Sequence, residues 1–236
     1  MITLLMIMSI KNGILSSMCL ASGGIVLIAV LGFALRLVGE DSEGFVPGIT
    51  VISTVGLACL VGIIIYWLGK LEISKFIIDE VQLGATVSYS KMMGYVAGGL
   101  VLSIFVSTAM VWSAAQLGAE FLIPTVEYSN VIFDGPLILL SIISLAIVVP
   151  ISEEIFFRSY LSKNFYELGI TSRIVLTAAI FALFHAGQLE VIVIASTFVT
   201  GTILGYVYHK FNSVTPCIMI HAGQNLLVIC ITVILN

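Results

Sequence analysis

Three short clusters on three separate apolar segments hold the residues able to do chemistry. They are Glu153-Glu154-Ile-Phe-Phe-Arg158, Phe181-Ala-Leu-Phe-His185 and His221-Ala-Gly-Gln-Asn225. Ionisable groups are costly among Ile, Leu, Val, Phe and Ala, so they usually face a protein interior and serve a function. Together they contain the parts that hydrolysis of an amide needs. A carboxylate can take a proton from water and later return it. An imidazole can hold that water, and an Asn amide or a second imidazole N–H can donate to the oxyanion. Alternatively Glu153, His185 and His221 could ligate zinc or another divalent metal that activates the water. No segment carries the HExxH pattern of zinc proteases, which favours the metal-free arrangement. Asp134 has no second intramembrane Asp to make a dyad, and no GxSG serine motif is found.

Spacing assigns roles within each cluster. Glu154 and Arg158 are i, i+4 and can pair on one helix face. Glu153 points about 100° away and is free to face a different partner. His221 and Asn225 project together, and Phe181 shares a face with His185 as a packing floor. Pro150, one turn before Glu153, removes a backbone hydrogen bond and tends to kink a helix. Such a break suits the edge of a polar cavity.

The elements that carry these residues follow from composition. The chain is 60% hydrophobic and 9% charged, with a mean hydropathy of +1.20. A soluble domain cannot hide that much apolar surface, so the expected fold is all-α: a polytopic membrane helical bundle of about seven transmembrane helices. Long uniform apolar runs without period-two alternation exclude a barrel. The expected spans are 14–38, 46–69, 92–118, 134–160, 172–187, 190–208 and 214–235. The fifth and sixth form a hairpin broken at Gly187–Glu190. The start of the chain lacks a basic region ahead of its apolar stretch, so the first span is read as a retained anchor. Residues 69–92 mix Ile73, Phe76, Ile77 and Ile78 with Glu72, Lys75, Asp79 and Glu80, which suggests a short interfacial connector.

Lys11, Lys70, Lys75, Lys91, Lys163, Arg173 and Lys210 all fall on one side of this topology. Glu40, Asp41, Glu43, Glu120, Glu127, Asp134 and Glu190 fall on the other, with Arg36 beside the first acidic group. This positive-inside pattern places the N-terminus in the cytoplasm. At roughly 1.5 Å of rise per residue, the two glutamates lie about 14 Å from the cytoplasmic end of their span. His185 lies about 18 Å deep, His221 roughly 10 Å and Asn225 about 16 Å. Three helices thus bring polar groups to similar depth, which supports a shared site.

Gly94–Gly98 and Gly201–Gly205 are GxxxG pairs that allow close helix approach. The four cysteines have no CxxC spacing and read as buried apolar residues. His209, beside Lys210, reads as interfacial.

The three clusters resemble, in order and intact, the EExxxR, FxxxH and HxxxN/D motifs of the CPBP intramembrane protease family, also called the CAAX protease and bacteriocin-processing (Abi) family. The resemblance covers roughly the last hundred residues, and the ordered set of motifs is highly specific. It implies N-terminal helices over 1–131 and a protease core over 132–236 formed by the last four helices. It implies Glu153 as the water-activating carboxylate with His185 as its partner. His221 and Asn225 would bind water or stabilise the oxyanion, and Glu154 and Arg158 would support the site. The family is described both as metalloproteases and as metal-free glutamate-type enzymes. Its bacterial members are tied to peptide maturation, bacteriocin self-immunity or quorum-sensing control. The compact, nearly loop-free chain suggests a prokaryotic plasma-membrane protein without prenylated substrates. The expected partners are a peptide or membrane-protein substrate and the lipid bilayer, with no nucleic acid. Two other functions compete. One is a non-catalytic membrane immunity or scaffold protein of the same fold, against which the intact motifs count. The other is a proton-coupled transporter, against which the missing inverted repeats count.

Overall fold

Ser88 opens the described part of the chain as a helix cap, its hydroxyl accepting the Lys91 N–H at 3.5 Å. The computed structural model describes residues 88–119, 138–185 and 191–235. Helix α1 runs Tyr89–Gln116 and closes at Gly118, whose φ of 66° is the left-handed backbone that glycine adopts without strain. The helix begins three residues before the expected span because Ser88 supplies the cap.

A continuous helical rod follows, from Ile138 to Asn164. It alternates winding: α2 over Ile138–Ile143, a π stretch over Ser144–Val148, α3 over Val149–Glu154, a second π stretch over Ile155–Leu161, and α4 over Ser162–Asn164. Pro150 sits in the first turn of α3, directly after the first π stretch. A π turn widens the helix and suits a residue without an N–H, and such turns are frequent at functional sites.

Helix α5 spans Ile170–Phe184, α6 Val191–Phe211 and α7 Thr215–Leu235. The α6–α7 turn is tight. Asn212 ends α6 at a φ of 47°, and the Ser213 hydroxyl accepts the Thr215 N–H at 3.2 Å. Each helix lies within a few residues of an expected span. The expected first two spans, most of the 69–92 connector and the Gly187–Glu190 break lie outside the described residues.

Helix α6 packs along α5 and α1, and α7 packs on α1 and on the rod. Two apolar cores result. Phe156, Phe157, Tyr160, Leu161, Phe165 and Phe181 fill the space between rod and α5. Val96, Leu204, Val207, Val214, Cys217 and Ile220 join α1, α6 and α7. The α6 glycines serve this packing: a Cβ at Gly201 would lie 3.1 Å from Ala178 Cα, and one at Gly205 3.1 Å from Ile174. By contrast a Cβ at Gly94 or Gly98 would meet nothing within 4 Å.

The outside is apolar too. Val101, Phe105, Trp112, Leu183 and Val228 are all exposed. Among the described residues α1 and α6 are long and apolar enough to cross a membrane. Lipid, unlike water, makes such a surface inexpensive.

Candidate active site

Arg158 and Glu154 are both fully buried, with Arg158 Nε 3.0 Å from Glu154 Oε2. The i, i+4 spacing on the rod makes this contact. The N–H is not aimed along the contact, so the pair is held as charges and not by an aligned hydrogen bond. The guanidinium also lies 4.8 Å from the centre of the Phe181 ring, a cation–π contact that offsets part of its desolvation.

The other oxygen of Glu154 holds His221: Nδ1 and Oε1 are 2.9 Å apart. Glu154 is already paired with Arg158 and acts as an acceptor, so Nδ1 is the donor. The far nitrogen then turns towards Glu153, with Nε2 3.8 Å from Oε2. Glu153 thus faces a partner other than Arg158, and that partner is the same ring that Glu154 holds. Adjacent helical side chains diverge, but the two nitrogens on opposite sides of one imidazole let two flexible carboxylates reach the same ring. Glu153 is 15% exposed, and its Oε2 has no hydrogen-bond partner among the described residues.

Asn225, one turn beyond His221, donates from Nδ2 to Leu145 O at 2.9 Å. That carbonyl belongs to the first π stretch, where altered winding leaves carbonyls open to side-chain donors. Asn225 retains a second N–H for another acceptor.

His185 caps the C-terminal end of α5, and its Nδ1 lies 2.9 Å from Phe181 O. Phe181 gathers the three clusters. Its ring centre lies 4.8 Å from that of His185 and 5.8 Å from that of His221, and it carries Arg158 on its face. It is thus a junction as well as a packing floor.

Glu153, Glu154, Arg158, Phe181 and His221 accordingly form one connected site, to which His185 is joined through Phe181, with Asn225 one turn from His221 and anchored on Leu145 O. The candidate metal ligands Glu153, His185 and His221 do not make a binding set: among the described residues no three His, Cys, Asp or Glu side chains converge as metal ligands. Sequence reasoning missed the Leu145 carbonyl and the shared use of His221 by both glutamates. Neither leaves a mark in residue type or spacing.

The fold and site define a class: a helical membrane protein with a buried carboxylate–imidazole–guanidinium cluster between its helices. Residues 135–227 match the family described as Type II CAAX prenyl endopeptidase Rce1-like. Over this segment the chain is similar to that family, in line with the CPBP protease motifs that its three clusters resemble. No curated protein and no solved structure matches the chain.

Proposed function

We propose that this protein is an intramembrane endopeptidase that hydrolyses a peptide bond of a membrane-associated protein or peptide. It would act near the cytoplasmic leaflet of a prokaryotic plasma membrane, with a carboxylate and not a metal activating the water. The observation that carries this reading is the 3.8 Å gap between His221 Nε2 and Glu153 Oε2. In the neutral imidazole with Nδ1–H held by Glu154, Nε2 is an acceptor, and so is the carboxylate. Two acceptors cannot bond to each other, but one water can donate to both. That orientation turns the water's lone pairs outward, towards an incoming carbonyl carbon.

In this mechanism Glu153 takes a proton as the water oxygen bonds to the carbonyl carbon. The carbonyl π electrons move onto oxygen, and the free N–H of Asn225 donates to that oxyanion. His185, its Nδ1–H held by Phe181 O, flanks the site through the Phe181 ring. Collapse of the tetrahedral adduct breaks the C–N bond as Glu153 passes its proton to the leaving nitrogen. Glu154 and Arg158 do not exchange protons with substrate; they fix the tautomer and rotation of His221.

The test is single-turnover cleavage of a transmembrane peptide library by the full chain in detergent, wild type beside Glu153→Gln. Cleavage by the wild type that falls at least 100-fold in Glu153→Gln is expected, the range of a lost general base. Equal cleavage by both proteins removes Glu153 from the mechanism. No cleavage by either, with both folded, favours the scaffold reading.

A further inference from the structure

Helices α6 and α7 carry two buried polar atoms that the mechanism above does not use. Thr200 Oγ1 and Gln224 Oε1 are shut off from solvent and have no hydrogen-bond partner among the described residues. Thr200 is 5% exposed. Elsewhere in the bundle such hydroxyls return to their own helix. Ser152 donates to Val148 O at 2.8 Å, Thr177 to Arg173 O at 2.9 Å and Thr202 to Phe198 O at 2.9 Å. Thr200 does not, although the same local bond is sterically open to any helical threonine.

Both atoms lie at the level of the site. Cys217 Sγ donates to Leu204 O at 3.3 Å and fixes the register of the antiparallel α6 and α7. One turn from this contact stand His221 on α7 and Thr200 on α6. Gln224 stands two turns from Cys217, on the same side of α7. Gly201, beside Thr200, packs so closely that a Cβ there would lie 3.2 Å from Phe181 Cδ1, and Phe181 touches His221. The seam between α6 and α7 therefore carries one acceptor and one hydroxyl within about one helical turn of the level of His221.

An unpaired polar group in apolar surroundings costs about 1–3 kcal/mol, so an orphan pair at one site calls for a ligand. A peptide about to be cut supplies one. Its scissile carbonyl is reachable only in an extended segment, and unwinding a helix frees N–H and C=O groups that must be satisfied in a water-poor site. A carboxamide oxygen accepts an N–H, and a hydroxyl donates to a C=O. Together they complement an extended main chain without regard to its side chains.

We propose that Thr200 and Gln224 are substrate-binding residues that hydrogen-bond the main chain of the peptide beside the bond to be cut. This rests on the protease reading. The test uses the full chain, a transmembrane reporter peptide that the wild type cleaves, and Thr200→Val, Thr200→Ser and Gln224→Leu. The expected result is a roughly tenfold fall in kcat/KM for Thr200→Val and for Gln224→Leu, one lost hydrogen bond each, with Thr200→Ser near wild type. Their melting temperatures hold or rise, because an unpaired buried group has been removed. Replacing the flanking substrate amides by esters, one at a time, removes single N–H donors. One such ester is expected to slow the wild type about tenfold and to slow Gln224→Leu no further. Variants that cleave like wild type, with every ester penalty intact, overturn the inference and leave the protease reading standing. So do variants whose activity falls only in step with their melting temperature. A wild type without cleavage on any reporter removes the protease reading, and this inference with it.

Discussion

Glu154→Gln separates support from chemistry. Glu154 is fully buried and faces Arg158 at 3.0 Å and His221 at 2.9 Å. The substitution keeps the shape and removes the charge. It leaves the fully buried Arg158 without its ion partner, and breaking a buried pair from one side costs about 3–5 kcal/mol. The Phe181 ring under the guanidinium and the amide oxygen left to accept from His221 place the loss at the low end, about 3 kcal/mol. At about 2–4 °C per kcal/mol for a chain of this size, the melting temperature in detergent falls by about 6–12 °C. Glu153→Gln, on a partly exposed carboxylate with no short contact, shifts it by less than about 2 °C. Both variants lose activity, but only one loses stability. The double variant Glu154→Gln/Arg158→Met recovers much of the melting temperature, since it removes the buried charge that Glu154→Gln alone leaves uncompensated. It does not recover cleavage, because the His221 ring has lost its carboxylate anchor. A thermal-shift series on the four purified proteins reads all of this. Glu154→Gln melting within 2 °C of wild type would falsify the ion pair as the anchor of the site.

Asn225→Leu leaves the Leu145 carbonyl without its 2.9 Å donor and costs about 1–3 kcal/mol, together with a loss of cleavage that Asn225→Asp does not fully restore. Gly201→Ala drives a Cβ to 3.1 Å from the Ala178 backbone, so a loss of about 1–3 kcal/mol is expected in the same thermal assay, whereas Gly98→Ala, with nothing within 4 Å, is tolerated. Phe181→Leu removes the ring beneath Arg158 and between the two histidines, and both melting temperature and turnover fall; turnover at wild-type level removes Phe181 from the site. Cleavage is expected to survive prolonged treatment with a chelator, and activity lost to chelation and restored by zinc reverses the assignment of water activation to Glu153.

Much of the site was legible in the sequence because the bilayer makes polar residues conspicuous. Six of the residues that meet around His221 and Phe181 stand out as the polar or ordered positions of three apolar runs. Helical periodicity alone pairs Glu154 with Arg158 and Phe181 with His185. The helix limits were legible to within a few residues, since capping is local: Ser88, Asn212 and Ser213 each act on neighbours one to four positions away.

What spans helices was not legible. Periodicity gives the direction of a side chain from its own axis, and says nothing of where the next helix stands. The convergence of Glu153 and Glu154 on one imidazole depends on how α7 docks against the rod. The Leu145 carbonyl becomes an acceptor only because the rod switches to π winding ahead of Pro150. Pro150 marks the place, since it lacks the N–H that this winding would aim at Leu145 O, but its type alone does not dictate a π turn. Thr200 and Gln224 gain meaning only from the register that Cys217 and Leu204 set between α6 and α7. The sequence determined which groups are present and which helix carries each, because composition and 3.6-residue periodicity are local properties. The tertiary structure decided which of those groups touch, because inter-helix register and rotation are set by packing of the whole bundle.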